Sequence, residues 1–171
     1  MCGRMQTITL NGGTASFELP EEWVAVASET NRICLRLPDS AEFIAEFTEL
    51  QKQGAFGTQG PSSEEMVRMQ IEPFGGSAIA LSPTRAFGSH AISIGEPGQE
   101  RECFAWHLVN QAGPWHHQCL LFVYTPPRGC ALDADLRELL DRELPLCEFH
   151  RPTSISAVSA EREPKPWWHF W

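Results

Sequence analysis

The sequence predicts an α+β protein, an antiparallel β-sheet with two main helices packed against it. Three observations carry that class. "ECFAWHLVN" and "WHHQCLLFVYT" are apolar strand-like segments joined at Gln111-Ala112-Gly113-Pro114, which reads as a hairpin. Two other segments place apolar residues at helical spacing behind a start signal. The order strands, helix, strands, helix, strand then favours helices packed on an antiparallel sheet over alternating βαβ units.

Residues 5–37 read as short strands. "MQTITL" alternates, "NGG" is a turn signal, and "TASFELP" resumes until Pro20 punctuates it. "EWVAVAS" and "RICLRLP" flank a turn at Glu29-Thr30-Asn31. In the second, Ile33, Leu35 and Leu37 share one face and Arg32, Cys34 and Arg36 the other, the pattern of a half-buried strand.

The first helix is expected from Asp39 onward. Pro38-Asp39-Ser40 is a start signal, Asp39 with Glu42 resembles a capping box, and Phe43, Ile44, Phe47 and Leu50 form one stripe that Gly54 ends. "GAFGTQGPSS" is a loop, and "SSEEMVRMQI" fits a short helix or a strand equally well. Within residues 74–98, "SAIAL" and "SHAISI" are strands. The second helix lies in "LDADLRELLDREL", where Leu132, Leu136, Leu139 and Leu140 make a stripe, acidic residues lead and Pro145 stops it. "PLCEFH" supplies a closing strand. Residues 1–151 form one domain on this reading, and 152–171 a Trp-rich tail that docks on the sheet or binds a partner.

Composition bounds the function. A chain of 171 residues can bury about 70% of its unfolded surface, and 42% hydrophobic with 20% charged residues is the balance of a globular protein. The longest apolar run, 119–124, is far short of the roughly 20 residues that span a bilayer, so no membrane association is expected. No basic-then-apolar leader precedes residue 20, which places the expected protein in the cytoplasm. Net charge is −9, with 22 acidic against 13 basic residues and no basic cluster, which argues against nucleic acid and for encounter with a basic protein partner. The six cysteines show no C-x-x-C spacing and read as reduced, mostly buried thiols.

Candidate chemistry is sparse, and the expectation is no catalytic residue and no cofactor. The candidate metal ligands are His107, His117, Cys103 and Cys119, which strand alternation would gather if the two hairpin faces coincide. The plainer alternative has the histidines at a strand end or solvent face and the cysteines packed, and the reading adopted is no metal. No G-x-S-x-G, S-x-x-K or Cys/His nucleophile signature occurs. The end of the chain differs: Trp167, Trp168, Phe170 and Trp171 follow a charged, Pro-spaced stretch that contains Glu161 and Glu163. Those six residues are the candidate partner-binding set, Trp being a frequent interface anchor.

Two resemblances bear on these residues. "MCGRM" resembles the start of SRAP-domain proteins, which use an N-terminal cysteine on abasic DNA. The Asn-Ala-Arg and His-x-Arg-Met-Pro-like segments that follow it in those proteins are missing, so Cys2 reads as an ordinary thiol. "TITLNGGTASFELPEEW" and the closing hairpin–helix–"CEF" resemble the PsbP/DcrB-like fold family, with Phe17, Leu19, Pro20 and Trp23 matching an F-x-L-P-x-x-W element. The DcrB-related branch includes Eag-type chaperones of type VI secretion effectors. That resemblance implies a non-enzymatic protein binder in a bacterial secretion or toxin context. The expected role is an immunity protein that occludes a basic toxin's active site. The alternatives are an Eag-type chaperone for a secreted effector, or a zinc- or thiol-dependent enzyme. The sequence leaves the oligomeric state open.

Overall fold

The computed structural model describes residues 4–52, 57–96 and 100–150. Among these residues ten strands form two antiparallel sheets. The strands are β1 (Met5–Leu10), β2 (Ala15–Pro20), β3 (Val24–Ser28), β4 (Arg32–Arg36), β5 (Glu42–Gln51), β6 (Ser77–Ser82), β7 (Arg85–Ile94), β8 (Arg101–Gly113), β9 (His116–Thr125) and β10 (Glu148–Phe149). The small sheet runs β1-β2-β10 and the large one β3-β4-β5-β9-β8-β7-β6. Helices α1 (Ser63–Ile71) and α2 (Ala134–Glu143) complete the fold, so the predicted class is the observed one. Among the described residues no helix is long and apolar enough to cross a membrane.

Local chemistry explains most boundaries. The β1–β2 connection needs three residues at positive φ: Asn11 takes 50°, which asparagine tolerates, and Gly12 and Gly13 take 64° and 90°, which glycine adopts without strain. Helix α1 opens with a capping box. The Glu65 N–H donates to the Ser62 hydroxyl at 3.2 Å, and the Ser62 N–H donates to the Glu65 carboxylate at 2.7 Å. Helix α2 is capped by Asp133, whose carboxylate accepts from the N–H groups of Asp135 and Leu136.

The helix expected from Asp39 is instead strand β5. Its apparent start signal is a turn. The Asp39 carboxylate accepts from the Ala41 N–H at 2.9 Å, Ser40 has φ 71°, and the Leu37 N–H donates to the Ala41 carbonyl at 2.9 Å, which closes a β4–β5 hairpin. Pairing then decides the element. Phe43 lies opposite Leu35 on one side and Tyr124 on the other, and β5 pairs with β9 along its whole length. Phe43, Ala45 and Phe47 point one way, and Ile44, Glu46 and Thr48 the other.

The first face of the large sheet carries the main core. Phe17 of the small sheet meets Phe122 edge-on at 5.1 Å, Trp23 lies 5.2 Å from Phe43, and Phe43 stacks on Phe122 at 5.9 Å. Phe17, Leu19, Pro20 and Trp23 are all buried here. Leu140 and Leu144 close the same core, and the buried Trp106 indole donates to the Asp141 carboxylate at 2.7 Å. Arg85 fastens the end of the described chain by donating to the carbonyls of Cys147 at 2.6 Å and Pro145 at 3.2 Å.

Helix α1 sits on the second face, where Val67 and Ile71 pack against Ala86 and Val109. Gly88 makes this seating possible. A Cβ there would lie 2.6 Å from Ile71 Cδ1 and 2.7 Å from Val67 Cγ1. Gly88→Ala is therefore expected to destabilise the fold by about 1–3 kcal/mol, read as a lower urea midpoint with unchanged slope. Ser62→Ala should cost about 1 kcal/mol in the same assay.

Candidate functional site

The second face of the large sheet is a lattice that the strand registers define. One row runs Arg32, Glu46, Leu121, His107, Gly88, Ala78 across six strands, and the next runs Cys34, Ile44, Val123, Ala105, His90. Residues directly opposite one another on paired strands share a face, so each row is a line of side chains on one surface. Helix α1 covers the β6–β7–β8 end and leaves a cleft of about 550 Å³ beside it.

The floor of the cleft is Ala105, Leu121, Val123 and Ile92, with His90 and His107 set into it. The wall is built by local helix geometry. Val67 and Ile71 face the sheet, while Met66 and Gln70, also four residues apart, line the cleft. Pro73 and Phe74 follow in a 3₁₀ turn (Glu72–Phe74) that ends at Gly75 with φ 73°. Among the described residues no Asp, Glu, Lys or Arg lines the cleft. Its rim carries Met69 and Phe74, large apolar side chains that are 59% and 57% exposed.

Three rings form the polar centre. Phe74 stacks on His90 at 4.6 Å, and His90 stacks beside His107 at 5.2 Å between ring centres. The two Nε2 atoms are 3.0 Å apart, and His90 Nδ1 is 3.3 Å from the Ala91 carbonyl. One set of neutral tautomers satisfies both contacts: His90 Nδ1–H donates to Ala91, and His107 Nε2–H donates to His90 Nε2. Burial agrees with neutrality. Desolvation pushes His90 below the usual imidazole range. It pushes His107 down to about 3, with repulsion from His90 adding to it. A recess of about 30 Å³ continues past His107 toward Glu46, Thr48 and Cys119.

The four proposed metal ligands do share this face, as alternation implies, but they are strung along it. Cys103 bonds Thr125, His107 lies opposite Leu121, Cys119 opposite Val109, and His117 opposite Gln111. Four residues of strand, roughly 14 Å, separate the Cys103 level from that of His107, and two residues, roughly 7 Å, separate each later level from the next. His117 Nε2–H donates to the Pro61 carbonyl at 2.8 Å. Among the described residues no group of three His, Cys, Asp or Glu side chains could hold a metal. Burial raises the thiol of Cys103 and pushes those of Cys119 and Cys147 up to about 12, so they stay protonated. Glu161, Glu163, Trp167, Trp168, Phe170 and Trp171 lie outside the described residues, as does Cys2.

His90 and Phe74 were not among the sequence candidates. Alternation in "SHAISI" does place His90 with Ile92 and Ile94 on one face, which was the available signal. Nothing local links that face to Phe74.

Neither a known protein family nor a curated protein matches the sequence. Solved structures do share the fold. One is a crystal structure from Bacteroides thetaiotaomicron, at TM-score 0.53 and 12% identity over 90% of this chain; the chain spans about half, 51%, of that one. Another is the Saccharomyces cerevisiae Ran-binding protein Mog1p, at TM-score 0.50 and 9% identity, over 86% of this chain and 96% of that one. At such identities the likeness concerns fold alone.

The histidine pair makes stability depend on pH. Both imidazoles have folded-state values below their unfolded one, so their contribution is fully present above about pH 6.5. It is lost as pH falls, because the unfolded chain takes up protons that the folded chain refuses. His107 alone should cost about 2 kcal/mol between pH 6.5 and 5. Urea melts across this range should show the decline, and His107→Gln should flatten it.

Proposed function

We propose that this is a non-enzymatic protein-binding protein whose partner lays an apolar segment into the cleft beside α1. The observation that carries the reading is the uncharged cleft with its exposed Met69 and Phe74 rim. Concave apolar sites with a few fixed polar groups are where ligands bind, and methionine adapts to varied apolar surfaces. The chain around it carries net charge −9, which favours a partner whose apolar segment is flanked by basic residues. The fold is also that of Mog1p, a Ran-binding protein, and this supports a binding role by analogy of fold.

Within the DcrB-related resemblance, the cleft favours the Eag-type chaperone, which cradles an apolar segment, over the immunity protein. The residues that carry the resemblance, Phe17, Leu19, Pro20 and Trp23, are core residues, so they speak to fold and leave the partner to the cleft. The immunity reading keeps one supporting observation, the acidic charge, which suits a basic toxin surface. Protonated thiols at Cys103, Cys119 and Cys147 weigh against thiol catalysis at those positions.

The test is fluorescence anisotropy of the full chain with labelled peptides that have an apolar centre and basic flanks. Phe74→Ala should weaken binding about tenfold, as expected for an exposed aromatic that a partner would bury as an anchor. Val24→Ser, at the exposed far edge of the sheet, should leave it unchanged. Binding indifferent to Phe74→Ala and to Met69→Glu, or turnover of a small substrate, would overturn the cleft reading. Loss on replacing surface carboxylates alone would favour the immunity role.

A further inference from the structure

We propose that the chain's own aromatic segment, residues 167–171, seats in this cleft in the free protein and must leave before a partner enters. The inference rests on reading the cleft as a binding site and adds its first occupant. It starts from where the described chain stops. The His150 N–H donates to the Thr14 carbonyl at 2.7 Å, which fixes the origin of the segment beside the small sheet. Residues 151–166 reach about 50 Å when extended. A folded chain of this length has a radius of gyration of about 15 Å, so the spacer is long enough to reach the opposite face.

The chemistry of segment and cleft is complementary. Trp167, Trp168, Phe170 and Trp171 are four aromatic side chains in five residues, and the fifth is His169. None of the five side chains carries a charge with the histidine neutral, and neither does any described residue of the cleft lining. An indole meets an aromatic wall there, because Phe74, His90 and His107 are already stacked in series. Its N–H has Ser93 and Gln70 within the same lining as polar partners. About 550 Å³ falls within the range of clefts that enclose drug-sized ligands, which is room for one or two of the four aromatic side chains. Such aromatics left in water would be unfavourable, and tethering lowers the cost of docking them. A tethered segment acts at an effective concentration of order 1 mM. Even an intrinsic dissociation constant of about 0.1 mM would therefore mask the cleft roughly tenfold.

The probe is 1-anilinonaphthalene-8-sulfonate, whose fluorescence reports entry into apolar clefts. It is titrated into the full chain and into a full-length variant with Trp167→Ser, Trp168→Ser, Phe170→Ser and Trp171→Ser. The expected result is about tenfold tighter dye binding by the variant, abolished when Met69→Glu is added at the exposed rim. Amide exchange at residues 69–74 and 90–94 should quicken in the variant, a readout that needs no dye. Equal dye affinity in the two chains, with exchange unchanged, overturns the inference and leaves the cleft reading standing. Dye binding by neither chain overturns both. A gain insensitive to Met69→Glu shows that the segment covers another surface, and masking that grows with protein concentration shows a second copy's segment; either overturns the inference.

Discussion

Strand β5 carries Phe43, Ala45 and Phe47 into the aromatic core and presents Ile44, Glu46 and Thr48 on the opposite side of the large sheet. It is hydrogen-bonded to β4 on one edge and β9 on the other, so it joins the two-stranded flank β3-β4 to the remaining four strands. Without that pairing, Trp23 would lose Phe43, and Phe43 would no longer stack on Phe122. The registers that β5 and β9 share also align the rows on the second face. The core and the cleft floor are two consequences of one ladder.

The two faces are covered unequally. On the first, the small sheet and α2 meet the large sheet through Phe17, Leu140 and Leu144, and bury nearly every apolar residue there. On the second, the nine residues of α1 span only about 13 Å, and the glycine contact fixes them over β6–β8. The remaining apolar strip becomes a cleft because α1 and Phe74 stand beside it as a wall. An antiparallel sheet tolerates one face in contact with water, but such a face is usually polar. The strip beside α1 is apolar with two buried imidazoles, which stay neutral because burial disfavours their charged form.

Several features were legible in the sequence for local reasons. The Asn11-Gly12-Gly13 turn needs residues that accept positive φ. The segment "SSEEMVRMQI" is open between helix and strand on its pattern, and the Ser62–Glu65 capping box of the structure settles it as helix. Ile33, Leu35 and Leu37 are buried as their alternation requires. The stripe of Phe43, Ile44, Phe47 and Leu50 misleads because its spacing fits a period of 3.6, while Phe43, Ala45 and Phe47 fit a period of 2 equally well. Pro38-Asp39-Ser40 suits a helix start or a tight turn, since aspartate accepts a backbone N–H in both.

What the sequence by itself determined is therefore the class, the Asn11-Gly12-Gly13 turn, the second helix and the alternation of strands such as β4, because these follow from patterns among near neighbours. Tertiary structure alone decided that residues 42–51 are a strand, since its pairing energy comes from Leu35 and Tyr124 rather than from the segment itself. It also decided the site. His90 and His107 are seventeen residues apart and meet through register. Phe74 joins them only because a glycine on β7 lets a helix settle close enough to bring its last turn over the sheet.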